Sequence, residues 1–338
     1  MKPTAFLTAA AAAALLATGA AQAQSSVTAF GVLDLGVRSV KNDASQKRLD
    51  GSGLSSSRLG FRGVEDLGGG LRAGFWLEGA LNPDDGNASG QNWQRRATVS
   101  LSGGFGELRL GRDKVPTQLN WDDFDPFGNT GMAANTRLSV ASGILPAGGS
   151  FGAFSRANNM VSYLTPNLGG VFGQLSVAAG EGALGNKHTG LRAGYRAGAL
   201  LAAVGHGRTE VTGTVDAKEF NLGASYDLKV VRLFGFLSQL DVGPASQDNW
   251  QLGLTAPFGS NFSLRASYAE MDGKEAIANR DAKMIAVGGV YNLSRRTALY
   301  GHLVRISNTN TNFTVATGSA LTRGNDSSGY DFGLRHSF

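Results

Sequence analysis

The residue types that could do chemistry in this chain are few, and their spacing removes most chemistries. Its 338 residues include no cysteine and only four histidines, His188, His206, His302 and His336. Without thiols there is no disulfide scaffold, no zinc finger and no thiol nucleophile, and the histidines form no metal-spaced pair. The serines close to a histidine in sequence lack the G-x-S-x-G context of a hydrolase. The GGG and SGG runs resemble phosphate loops only superficially, because no Lys-Ser/Thr follows. Asp84-Asp85-Gly86-Asn87 has a calcium-like composition but reads better as a solvated turn. No catalytic residue, metal or cofactor is therefore expected. What remains is electrostatic: arginines placed one at a time in alternating segments. Arg58 shares parity with Gly60 and Arg62 against Leu59 and Phe61, and Arg156 shares parity with Asn158 and Ser162 against Val161 and Tyr163. Each therefore faces away from its apolar neighbours. Arg95 has the parity of Ala97, Val99 and Leu101, so simple alternation puts Arg96 on the polar side instead.

The elements that carry these arginines repeat from residue 25 onward. Segments of about ten residues alternate apolar and polar positions, as in Leu71 to Glu78, Leu191 to Arg196 and Phe262 to Tyr268, and Gly/Asn/Asp/Ser clusters break them. Short connections (65–70, 102–106, 166–170, 256–260, 292–296) alternate with longer polar ones (41–53, 81–92, 181–187, 241–248, 271–282, 307–328). That asymmetry is the signature of an up-and-down membrane barrel with short periplasmic turns and long external loops. About sixteen strands are expected, enough to enclose a water channel. The composition agrees: 42% hydrophobic, 17% charged, 49 glycines and 8 prolines suit apolar residues interleaved with polar ones.

The one long apolar run is N-terminal. Lys2, the apolar stretch Phe6 to Leu16 and the Ala21-Gln22-Ala23 box read as a cleaved bacterial secretory signal over 1–23, leaving a single barrel domain over 24–338. The net charge of +5 could suggest nucleic acid, but singly spaced arginines on strands do not make such a surface. The fold expected is all-β, a 16-stranded antiparallel transmembrane β-barrel in the bacterial outer membrane.

The stretches Ser25 to Asp34, Ser57 to Gly79, Arg95 to Pro116, Arg156 to Gly170, Tyr291 to Leu303 and Gly333 to Phe338 together resemble the trimeric general porins of Gram-negative outer membranes. The resemblance is closest to the β-proteobacterial branch with its anion-selective members. It spans the mature chain in order. It implies passive diffusion of small hydrophilic solutes, with a third external loop folded inward to narrow the pore. The core of that loop resembles Pro126-Phe127-Gly128, without the acid the enteric porins carry between Pro and Phe but with Asp122, Asp123 and Asp125 close by, and a wall of arginines would oppose it: Arg58, Arg95 or Arg96, and Arg156. The resemblance favours Arg95 over Arg96; parity favours the reverse. Asp34, Arg62, Arg72, Glu78 and Arg109 would extend the lumen lining, with Arg192 and Arg196 as further basic candidates. Tyr330, Phe332, Leu334 and Phe338 lie on one face of the last strand, similar to the signal read by the outer-membrane assembly machinery. The partners implied are two further copies of the chain, lipopolysaccharide and lipid, that machinery, and small anions. A substrate-specific channel and a non-conducting adhesive barrel are the alternative readings.

Overall fold

The computed structural model describes residues 26–87, 92–141, 143–316 and 319–338. The secretion signal expected over 1–23 lies outside them. Alternation becomes strand throughout, and seventeen strands join in one antiparallel sheet. The first, β1 (Ser26–Lys41), pairs along its first half with β3 (Arg58–Gly68) and along its second half with β2 (Ser45–Asp50). Strands β2 and β3 therefore share one position, and the sheet has sixteen positions. The other edge of β1 pairs with β17 (Ser327–Ser337), Val32 opposite Ser337. This closure leaves no strand edge without a hydrogen-bonding partner, a requirement wherever water is absent.

The outer face is apolar in a way a water-facing surface is not. Leu303 and Phe332 are 61% and 62% exposed, and Leu33, Val37, Val99, Leu237 and Leu252 stand out beside them. At the end carrying the short turns, exposed Phe105, Tyr163, Tyr195, Tyr226, Phe258, Phe262, Tyr291 and Phe338 form a belt. Aromatic belts mark the boundary between hydrocarbon and water. Among the described residues no helix is long and apolar enough to cross a membrane; the strands cross it. Tyr330, Phe332, Leu334 and Phe338 are all exposed on this face, and the backbone of Phe338 both donates to and accepts from Gly31 at 3.1 Å. The terminal residue thus continues the seam between first and last strands.

Two external connections expected to be loops are mostly strand. β13 (Ala245–Phe258) and β14 (Phe262–Glu275) run 14 residues each, beyond the ~9–11 needed to span a bilayer. Together with β12 (Arg232–Val242) and β15 (Asp281–Asn292) they reduce the connections to 243–244 and 276–280. Strand that projects past the bilayer has no lipid face to keep apolar, so its composition imitates a loop.

The third external connection, 115–155, folds into the barrel, between β6 (Gly106–Lys114) and β7 (Arg156–Leu164). Pro116 opens a short helix, α1 (Pro116–Asp123), where a missing N–H costs nothing. A 3₁₀ turn follows at Asn135–Leu138. Wall side chains hold both. Trp121 Nε1 donates to Glu219 Oε1 at 2.6 Å, Asn120 Nδ2 to Asn221 Oδ1 at 2.7 Å, and Asn249 Nδ2 to the Leu138 carbonyl at 2.8 Å. Gln247 donates to the Ser139 carbonyl (3.0 Å) and accepts from the Ala141 N–H (2.7 Å). Met132, Leu138 and Ile144 of the loop bury against Leu240, Met271, Met284 and Ile306 of the wall. Phe313 and Val315 join them, so the last external connection also folds inward. Part of the barrel interior is therefore filled by packed side chains. The wall glycine at 223 marks the closest approach: a Cβ there would overlap the Phe124 ring. Gly223→Val is expected to push Phe124 and α1 off the wall, and single-channel conductance should then differ measurably from wild type with a noisier open level.

Candidate pore constriction

The half of the lumen that the loop leaves free holds a cavity of about 510 Å³. Its wall comes from β3 to β8, where β4 (Leu71–Ala80), β5 (Arg96–Gly103) and β8 (Val171–Ala178) complete the run, and from β14 and β17. The inward loop supplies the facing side through Asp122, Phe127, Gly128 and Thr130. Arg58, Arg95, Arg96, Arg109, Lys114, Arg156, Arg265 and Arg335 line it, against the carboxylates Glu78, Asp113 and Asp122. Eight cations thus meet three acids.

Alternation on the strands puts most of these groups here. Trp76 and Glu78 share the inward parity of β4, and Arg96, Thr98 and Ser100 that of β5. Arg95 escapes the parity rule because it precedes β5, in irregular chain fixed by its own N–H bonding to the Glu78 carbonyl at 3.1 Å. Arg95 and Arg96 both reach the cavity, so the conflict between parity and resemblance is no conflict in space.

The carboxylates organise the cations. Glu78 Oε1 accepts from Arg95 Nε at 2.6 Å and lies 3.7 Å from Arg58 Nε. Arg156 Nε donates to the Arg95 carbonyl at 2.8 Å, which ties β7 to the segment before β5. Asp113 pairs with Arg109 (2.8 Å) and Arg96 (3.4 Å), and Arg96 lies 4.5 Å over the Trp76 ring. Lys114 pairs with Asp122 at 2.5 Å. Among the described residues Arg156, Arg265 and Arg335 have no carboxylate within ion-pair distance. These three carry charge without a direct ion pair into the cavity.

The remaining sequence candidates are elsewhere. Asp34 is fully buried: it accepts N–H bonds from Gly53, Leu54 and Ser55 and the Tyr300 hydroxyl at 2.6 Å, holding the segment between β2 and β3 rather than lining the lumen. The sequence placed it in the lumen lining and could not show that residues 51–57 cover it. Arg62 stacks against Phe30 and Trp76, and Arg72 stands exposed near the short-turn end of β4; neither touches the cavity. Asp123 pairs with Arg192 at 2.5 Å on the wall behind α1. Asp125 is buried within the loop, accepting from the N–H groups of Phe127 (2.9 Å), Asn129 (3.2 Å) and Asn135 (2.8 Å). Burial pushes its carboxyl up to about 6 despite those donors. Phe127 packs its edge on His302 at 5.5 Å, Pro126 sits against Gly253, and Gly128 turns the chain at φ 65°. Trp76, Lys114, Arg265 and Arg335 join the cavity without having been singled out. The signal was present for the last two: the alternation that turns Leu264 and Leu334 outward turns Arg265 and Arg335 inward.

A closed barrel with a lipid-compatible exterior, a loop-narrowed interior and an excess of fixed cations defines a water-filled outer-membrane channel. The sequence matches the Gram-negative porin family over residues 8–311. It is 43% identical to outer membrane porin protein 32 of Delftia acidovorans, covering 96% of this chain and 98% of that one. An outer membrane porin of Bordetella pertussis is 29% identical over 86% of this chain and 92% of its own. Among solved structures, an anion-selective porin from Comamonas acidovorans superposes with a TM-score of 0.83 at 38% identity, covering 93% of this chain and all 100% of that one. The chain belongs to the Gram-negative porin family.

Proposed function

We propose that the protein is a passive diffusion channel of the bacterial outer membrane that passes small anions in preference to cations, and that it is not an enzyme. The observation that carries this is the cavity itself, where eight cationic side chains face three carboxylates and, among the described residues, Arg156, Arg265 and Arg335 form no direct ion pair. Fixed charge in a narrow pore with low-dielectric walls concentrates ions of opposite sign and repels the rest. Arginine stays protonated at any working pH, so the preference does not depend on titrating these groups. The relative described as anion-selective supports the same direction.

The mature chain begins after Ala23 and assembles as a homotrimer in contact with lipopolysaccharide. The assembly machinery reads the last strand through Tyr330, Phe332, Leu334 and Phe338. These readings rest on the sequence pattern and the family. Purified protein in a planar bilayer tests function and assembly together: chloride conductance should appear in groups of three equal steps. A barrel that inserts but never conducts would favour the adhesive reading.

A further inference from the structure

A second cluster of cations lies at the short-turn end of the lumen, beyond the constriction. Strand register sets Arg232, Thr255 and Arg265 directly opposite one another on β12, β13 and β14. Neighbouring strands are about 4.8 Å apart, so two guanidiniums flank one threonine hydroxyl across three strands. All three share the parity of buried neighbours, Phe234 and Phe236 with Arg232, Gln251 with Thr255, and Ser267 with Arg265. They face the lumen, where solutes reach and lipid does not. A cavity of about 270 Å³ opens at this row, also lined by Ser263, Lys229 and Asp227.

Hydrogen-bond accounting at the row is incomplete in one direction. Arg232 Nη2 donates to Ser225 Oγ at 2.8 Å and the guanidinium packs 5.1 Å from the Phe234 ring, but its Nε is buried without an acceptor. Arg265 Nε is buried and unsatisfied as well. Among the described residues neither arginine has a carboxylate within ion-pair distance, and Asp227 accepts instead from the Lys229 N–H at 2.7 Å, closing its own turn. Two guanidiniums without a paired carboxylate, lining a polar cavity, suit an acceptor with several oxygens. Arg265 also borders the constriction cavity, so an anion leaving the constriction meets this row next.

We propose that Arg232, Arg265 and Lys229, with the hydroxyls of Thr255 and Ser263, form a second anion site at the periplasmic mouth. It binds doubly charged oxyanions of the phosphate class more tightly than chloride. Guanidiniums bond oxyanions with paired N–H donors, whereas a halide offers no such geometry. The site rests on the lumen conducting, and its consequence is sidedness: an oxyanion arriving from the periplasm occupies it without first crossing the constriction.

The test is a planar-bilayer titration with inorganic phosphate at pH 8 in constant chloride, applied to either face. The chain has no cysteine, so Thr214→Cys in the connection 211–215, on the face opposite the short turns, takes a biotin-maleimide. Streptavidin then reports each channel's orientation. Phosphate on the short-turn face should reduce chloride current saturably, at lower concentration than phosphate on the loop face. Arg232→Gln should raise the half-blocking concentration about tenfold, the scale of one lost charge-assisted bond. Lys229→Gln, in an exposed turn, should shift it in the same direction by about threefold and serves if Arg232→Gln does not insert. Equal block from both faces, or block indifferent to both substitutions, overturns the site. A wild-type channel that carries no chloride current overturns the conducting reading itself.

Discussion

Replacing Arg156 and Arg335 with alanine should lower the chloride-over-potassium permeability ratio several-fold. Both line the cavity and neither has a carboxylate within ion-pair distance. Removing either deletes charge that no directly paired carboxylate offsets. A unit charge ~6 Å from a permeating ion contributes ~0.7 kcal/mol even at the dielectric constant of water. That is roughly threefold in local ion concentration for each charge removed, and more where the wall excludes water. Arg95→Ala should do less and is a useful contrast. It removes a cation but frees Glu78, which Arg95 holds at 2.6 Å, and Arg58 at 3.7 Å can close on that carboxylate in its place. Reversal potentials of the two variants in the same salt gradient rank them. Equal effects would mean that pairing within the cavity does not decide which arginines count.

Acid should tighten the inward loop, and the sign follows from Asp125. Its carboxyl titrates near 6 in the docked loop, against about 3.9 when exposed. The docked state therefore binds a proton more tightly than the released state. Its stability falls as pH rises from about 4 to about 6, and is greater at pH 5 than at pH 7.5 by about 1.4 kcal/mol, or tenfold in opening equilibrium. The amides of Phe127, Asn129 and Asn135, which donate to Asp125, report this directly. After correction for intrinsic rates, their hydrogen exchange should be about tenfold slower at pH 5. Asp125→Asn should abolish the difference while keeping one acceptor oxygen. Asp125→Ala leaves three N–H groups without their acceptor, at about 1–3 kcal/mol each where burial persists. It should loosen the loop enough to make the open current noisy. Exchange that quickens in acid would assign the loop's anchorage to the wall contacts at Glu219, Asn221 and Gln247 instead.

The sequence revealed most where one physical rule dominated. Lipid on one face and polar surface on the other force period-two alternation, so the crossing strands and inward parity of Arg58, Arg96 and Arg156 were readable directly. The inward loop was visible only by the resemblance of its Pro126-Phe127-Gly128 core; nothing in residues 115–155 specifies Gln247 or Glu219 as its anchors. Three features escaped because they depend on contacts distant in sequence. Asp34 is covered by the segment 51–57 that it organises. β13 and β14 continue past the bilayer, where the alternation rule loses its cause. Phe313 and Val315 sit in a connection whose neighbours are polar, and only the packed core built by Met132 and Leu138 explains why they turn inward.

The central claim is that arginines outside direct ion pairs make this lumen favour anions, and one measurement bears on it most directly. Purified wild-type protein separates a tenfold gradient of potassium chloride across a planar bilayer, and the zero-current potential is read in dilute and in concentrated salt. The dilute side should be negative by tens of millivolts, toward the limit of about 59 mV for one charge. The potential should shrink at molar concentration, where the Debye length falls to about 3 Å. A positive dilute side, or a potential near zero in dilute salt, would contradict the account.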